Sequence, residues 1–131
     1  MKGFVSVAIL LVCLGLVSQN VSGQKKERVK FAPGTSHATL TGTVRGYAYH
    51  DYIVGATAGQ TINVTLTATA SPSVFSVFLP NKENLDGAVE MNDFNSELPV
   101  SGDYVIRVMM MRSAARRKGS VSNYTLKISI K

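Results

Sequence analysis

Cysteine is nearly absent: the 131-residue chain has one, Cys13. Tryptophan is missing altogether, histidine occurs twice, and eight acidic side chains stand against fourteen lysines and arginines. Each shortage removes a class of function. Cys13 lies inside an apolar N-terminal run, so the rest of the chain has no disulfide, no thiolate nucleophile and no sulfur-liganded metal site. His37 and His50 show neither HxH nor HExxH spacing and read as solvent-facing strand histidines. P-loop and GxSxG patterns are absent as well. Without a recognisable nucleophile, acid–base pair or metal set, the chain reads as a non-enzyme that needs no cofactor and no metal.

Long apolar stretches are also scarce, and the one present is short. MKGFVSVAILLVCLGLVSQNVSG has an early cation, Lys2, an apolar run from Phe4 to Val17, and then small and polar residues. That order predicts a secretory signal peptide over 1–23, cleaved near Gly23–Gln24, and export to the periplasm. The run falls below the roughly 20 residues of a membrane span. Val12 before Cys13 argues against lipidation, which requires a small residue there. Residues 24–131 then form a single domain whose thirteen cations and eight anions give a net charge of +5. The balance favours a negative partner without choosing among nucleic acid, lipid headgroups and acidic protein surfaces. Export disfavours the first.

Period-2 alternation is what the chain has in abundance. Tyr124, Leu126, Ile128 and Ile130 share one face, as do Ile62, Val64 and Leu66, and Tyr104, Ile106, Val108 and Met110. VFSVFL at 74–79 is apolar on both sides, as a central or sandwich-buried strand would be. Turn signals separate these runs: APG at 32–34, AGQ at 58–60, SPS at 71–73, VSGD at 100–103 and KGS at 118–120. The spacing predicts an all-β fold, an antiparallel β-sandwich of about eight strands. MMMRSAARRK, at 109–118, is rich in helix formers and predicts one short helical turn there. QKKER at 24–28 reads as a frayed lead-in.

Two charged segments stand out. RVMMMRSAARRKGS, residues 107–120, carries Arg107, Arg112, Arg116, Arg117 and Lys118 and no anion. It contains no aromatic residue for stacking on bases, which argues against nucleic acid. Strict alternation would turn Arg112 toward the core, where an unpaired guanidinium is too costly. The strand therefore ends at Met111 and Arg112 opens the loop. Arg112 and Arg116, four positions apart, fall on one side of any helical turn, roughly 6 Å from each other. Arg107, mid-strand, reads as decoration of a solvated face. Asp86, Glu90, Asp93 and Glu97 lack the spacing of a calcium loop and read as a solvated acidic loop opposite the basic one. The triplets at Asn63 and Asn123 that match a glycosylation acceptor read as chance.

Several segments in order resemble the bacterial periplasmic inhibitors of g-type (goose-type) lysozyme, the PliG family. They are VKFAPGTSHATLTGTVRGYAYHDYIVGATAGQ at 29–60, LPVSGDYVIRV at 98–108, and RSAARRKG at 112–119 followed by YTLKISIK. The resemblance spans essentially the whole of 24–131, with 68–97 sharing least. DYIVGATAGQTINVTL and LPVSGDYVIRV also look like the pre-peptidase C-terminal β-sandwich, an accessory module of secreted enzymes. GYAY followed at a distance by RxxxR resembles the inhibitors rather than that module.

The resemblance implies an eight-stranded sandwich that binds host g-type lysozyme and occludes its acidic catalytic cleft. It implies an inhibitory patch of Tyr47, Arg112 and Arg116, with Tyr49, Arg117 and Lys118 on the rim. Ser101 and Tyr104, in SGDY, match a motif shared more loosely among lysozyme-inhibitor families. For Ser101 a plain hairpin turn explains the motif equally well, and the parity of Tyr104 with Ile106 and Val108 favours core packing. The alternative function is a carbohydrate- or wall-binding module, whose mark would be an aromatic row built from Tyr47, Tyr49 and Tyr52.

Overall fold

Residues 24–131 are described by the computed structural model. The expected signal segment 1–23, Cys13 and the question of lipidation lie outside the described residues.

The alternating runs become strands with the predicted parity. The order is β1 (Gln24–Arg28), β2 (His37–Arg45), β3 (Tyr49–Ala56), β4 (Thr61–Thr69), β5 (Ser73–Phe78), β6 (Asp93–Glu97), β7 (Gly102–Met110), α1 (Arg112–Ala115) and β8 (Val121–Ile130). Two four-stranded sheets face each other, ordered β1-β3-β7-β5 and β2-β8-β4-β6. Consecutive strands always belong to opposite sheets, so every connection crosses the sandwich. The inward rows meet in one core where Val54, Ile62, Val64, Phe75, Tyr104, Ile106 and Leu126 are fully buried.

The pairings are antiparallel except one, the parallel pairing of β1 with β3. QKKER is thus a strand, not a frayed lead-in. Alternation could not reveal it, because all five residues are exposed. Its ladder with β3 is reinforced by Arg28, whose guanidinium donates to Asp103 of β7 at 2.6 Å across Gly55. That pairing raises the Arg28 pKa and lowers the Asp103 pKa.

VFSVFL is buried on both faces as expected, yet β5 lies at a sheet edge. The segment after it folds back over that edge. Phe75 and Met91 exchange backbone hydrogen bonds, and Val77 N–H donates to Ala88 O at 2.9 Å. Leu85 and Ala88 are buried against the core, and Asp93–Glu97 forms β6 of the other sheet. The acidic run is therefore a strap and an edge strand, not one solvated loop.

His50 departs from expectation too. Its Nδ1 meets the Tyr124 hydroxyl, which lies 2.6 Å from the Tyr52 hydroxyl. The ring is half-buried between the sheets, and that burial lowers its pKa. His37 is exposed at the start of β2.

Candidate functional site

Three crossovers emerge at the same end of the sandwich: residues 46–48 from β2 to β3, 70–72 from β4 to β5, and 111–120 from β7 to β8. They are stitched to one another. Gly46 N–H donates to Ser120 O at 3.1 Å, Ser120 Oγ donates to Ala115 O at 3.2 Å, and Met111 N–H donates to Pro72 O at 3.2 Å. Ser122, fully buried, donates through Oγ to Ser71 O at 2.6 Å. Gly46 has φ +55, a left-handed conformation that favours glycine, and it turns the chain so that Tyr47 projects. Tyr47 is 68% exposed, the highest value among the large hydrophobic side chains described.

β7 ends at Met110, one residue before the expected end, and α1 follows at once. Ala114 and Ala115 are buried and anchor the turn, while Arg112 and Arg116 remain exposed. Arg116 N–H donates to Arg112 O at 3.2 Å, so the two arginines stand one helical turn apart on one side. Tyr47 and Arg112 line a single cavity of about 540 Å³ together with Tyr49, Met109, Met111 and Glu90. Arg117 and Lys118 are exposed in the turn that leads to β8. Among the described residues the ion pairs are Arg28–Asp103 and Arg107–Asp51. Arg112 and Arg116 therefore have no carboxylate within ion-pair reach.

The other expected residues are elsewhere or otherwise engaged. Ser101 precedes β7 at the opposite end of the sandwich, about 30 Å from Met110 along the strand. Its hydroxyl accepts the Ala58 N–H at 2.8 Å, tying together two turns. Tyr104 is fully buried, and its hydroxyl donates to Val100 O at 2.6 Å. A buried ring cannot touch a partner, so the SGDY motif here secures a turn and does not join the patch of Tyr47, Arg112 and Arg116.

Arg107 does more than decorate a face. Its guanidinium grips Asp51 through two hydrogen bonds, of 2.8 and 3.0 Å, and lies 4.0 Å from the centre of the Tyr49 ring and 5.1 Å from that of Phe78. The bond to Asp51 raises the Arg107 pKa. Asp51 is buried, so the pair satisfies a carboxylate that could not otherwise remain there. Tyr49 is thus held under Arg107, and Tyr52 points inward. The three tyrosines expected of a glycan-binding row do not share one face.

Glu90 was missed in the sequence because its acidic neighbours suggested solvent. Its N–H donates to Ser76 Oγ at 3.0 Å, which brings it to the cavity of Tyr47 and Arg112. Among the described residues, no group of three or more His, Cys, Asp or Glu converges to hold a metal ion. No helix there is long and apolar enough to cross a membrane.

No family model matches the chain. It is 31% identical to the Escherichia coli (strain K12) inhibitor of g-type lysozyme, over 95% of this chain and 94% of that protein. It also superposes on the crystal structure of Aeromonas hydrophila PliG, a periplasmic inhibitor of g-type lysozyme. That match has TM-score 0.73 and 33% identity, and covers 83% of this chain and 98% of that one. The pre-peptidase C-terminal domain of a Bacillus anthracis collagenase matches with TM-score 0.52 and 15% identity, over 86% of this chain and 100% of that one, a likeness of fold alone. Sequence and structure together place this chain in the family of periplasmic inhibitors of g-type lysozyme.

Proposed function

We propose that this protein inhibits g-type lysozyme in the periplasm and blocks it by presenting Arg112, Arg116 and Tyr47 to the acidic catalytic cleft. The observation that carries the reading is the pair of unneutralised arginines one turn apart beside an exposed tyrosine, in a chain of this family. Enzymes that hydrolyse glycans use carboxylic side chains at the scissile bond. A guanidinium meets a carboxylate through two parallel hydrogen bonds, so it can occupy such a cleft without imitating a sugar. Tyr47 adds apolar area and a hydroxyl on a side chain with few rotamers to lose. Arg117 and Lys118 steer the approach from the rim. The protein is not an enzyme, in keeping with relatives named as inhibitors.

The likeness to the collagenase domain, being one of fold, does not support a glycan-binding function. The test is a cell-wall lysis assay with a g-type lysozyme and the purified 24–131 chain. Suppression of lysis in proportion to added protein is expected; an unchanged rate at large excess would refute the proposal.

A further inference from the structure

Tyr47, Arg112 and Arg116 are too few to hold a stable complex. A specific protein–protein interface usually covers about 800 Å² per partner, with 20–30 residues on each side. We propose that the outer face of the β1-β3-β7-β5 sheet forms the body of the docking interface and lies against the rim of the same acidic cleft. This rests on the lysozyme-inhibitor reading and extends it to a surface outside the crossover end.

The two outer faces of the sandwich differ in kind. The outer side of the β2-β8-β4-β6 sheet presents the exposed Thr39, Thr41, Asn63, Thr67 and Lys127 with the half-buried Thr125, a polar row. The outer side of the other sheet presents Tyr49, Met109, Ile53, Val105 and Phe78, all only half-buried. An apolar strip on one face, with a polar face behind it, is the pattern of a surface awaiting a partner. Four strands about 4.8 Å apart and five to nine residues long give an area on the order of 450 Å², which supplies much of what the tip lacks.

Continuity and charge identify the occupant. Tyr49 and Met109 pair across β3 and β7 and also line the cavity of Tyr47 and Arg112, so the strip runs directly into the tip. The next row is Asp51 with Arg107, and the one after it Ile53 with Val105. Arg107 is already neutralised, clamped by Asp51 and flanked by two rings, so burying it freezes little that is not frozen already. A second cavity of about 230 Å³ lies there, lined by Lys26, Lys82 and Phe78 around the Arg107–Asp51 pair. Lys26 and Lys82 make no ion pair among the described residues, and the only acid lining that cavity is the neutralised Asp51. Among the described residues, Glu90 is the one carboxylate lining the cavity at the tip. An apolar strip bordered by unpaired cations suits the margin of a protein cleft rich in carboxylates.

The test uses Val105→Glu and Lys82→Glu, both remote from the tip, with Thr67→Glu on the opposite outer face as control. Inhibition of g-type lysozyme and the thermal midpoint are measured for each. The expected result is that both face variants weaken inhibition by about tenfold or more, from like-charge repulsion against the cleft rim, while Thr67→Glu stays within about twofold of wild type. Lys82 lies on an exposed turn, so if Val105→Glu fails to fold, Lys82→Glu decides alone. Wild-type inhibition by both variants, alongside its loss in Arg112→Ala/Arg116→Ala, would confine the interface to the tip and overturn the inference. A wild-type protein that does not inhibit at all would instead remove the functional reading on which the inference stands.

Discussion

Arg107 has its charge satisfied by Asp51 at 2.8 Å, whereas Arg112 and Arg116 have no carboxylate in reach among the described residues. The same substitution should therefore have opposite consequences. Arg107→Ala strands a buried carboxylate, and a loss of about 1–3 kcal/mol in urea unfolding is expected, less than for a fully buried pair because the guanidinium is partly exposed. Arg112→Ala with Arg116→Ala removes no ion pair among the described residues and should leave the unfolding midpoint within error. That double variant should weaken inhibition about 10³-fold, as two interfacial hot spots of about 2 kcal/mol each imply. His50 supplies a pH signature. Burial lowers its pKa in the folded state from the ordinary 6.5, so the unfolded chain binds the extra proton first. Its contribution to stability is complete above about pH 6.5 and is lost as pH falls from there toward the lowered folded value. Lys25 reinforces the lowering, and Glu27 and Asp51 oppose it. The stability difference between wild type and His50→Gln should thus be flat above pH 6.5 and shrink below it. Arg112 and Arg116, the proposed probe, stand out in the sequence because no anion accompanies them. The clamp on Arg107 does not, since Asp51 lies 56 positions away and only strand register joins them.

At the level of elements, the candidate site arises where chain crossings coincide. β2 delivers Tyr47 and β7 delivers Arg112 and Arg116 to one end, and hydrogen bonds among residues 46, 115 and 120 fix them together. Gly46 is the hinge of that arrangement. Gly46→Ala places a Cβ on a left-handed residue and should cost about 1 kcal/mol. The displaced Tyr47 should weaken inhibition several-fold with little further loss of stability, checked by unfolding and lysis assays run together. Alternation announced β4, β7 and β8 because one face of each meets the core. It was silent on β1, whose residues are all exposed, and it could not place β5 at an edge, because the strap over that edge makes the strand look central. Residues sharing one strand face are legible; which strands become neighbours depends on tertiary packing.

Over residues 24–131 the chain is a cysteine-free sandwich with a net charge of +5, and its cations are distributed unevenly. One outer face is hydroxyl-rich and solvated; the other is partly apolar and joins the basic tip. Attraction between the basic tip and the carboxylates of the proposed cleft should accelerate association, and it should weaken as the Debye length shrinks from about 10 Å at 0.1 M salt to about 3 Å at 1 M. Stopped-flow association rates should fall steeply across that range, while dissociation changes little. The fold was accessible from the sequence through alternation and turn spacing, and the family through ordered segments that include GYAY and RxxxR. The asymmetry of the two faces was not, because it depends on which strands lie side by side. The most direct test of the account is the inhibition constant against a g-type lysozyme, measured in parallel for wild type and Arg112→Ala/Arg116→Ala at matched thermal stability. The account predicts strong inhibition by wild type and its near-complete loss in the variant; equal inhibition by the two proteins, or none by either, would contradict it.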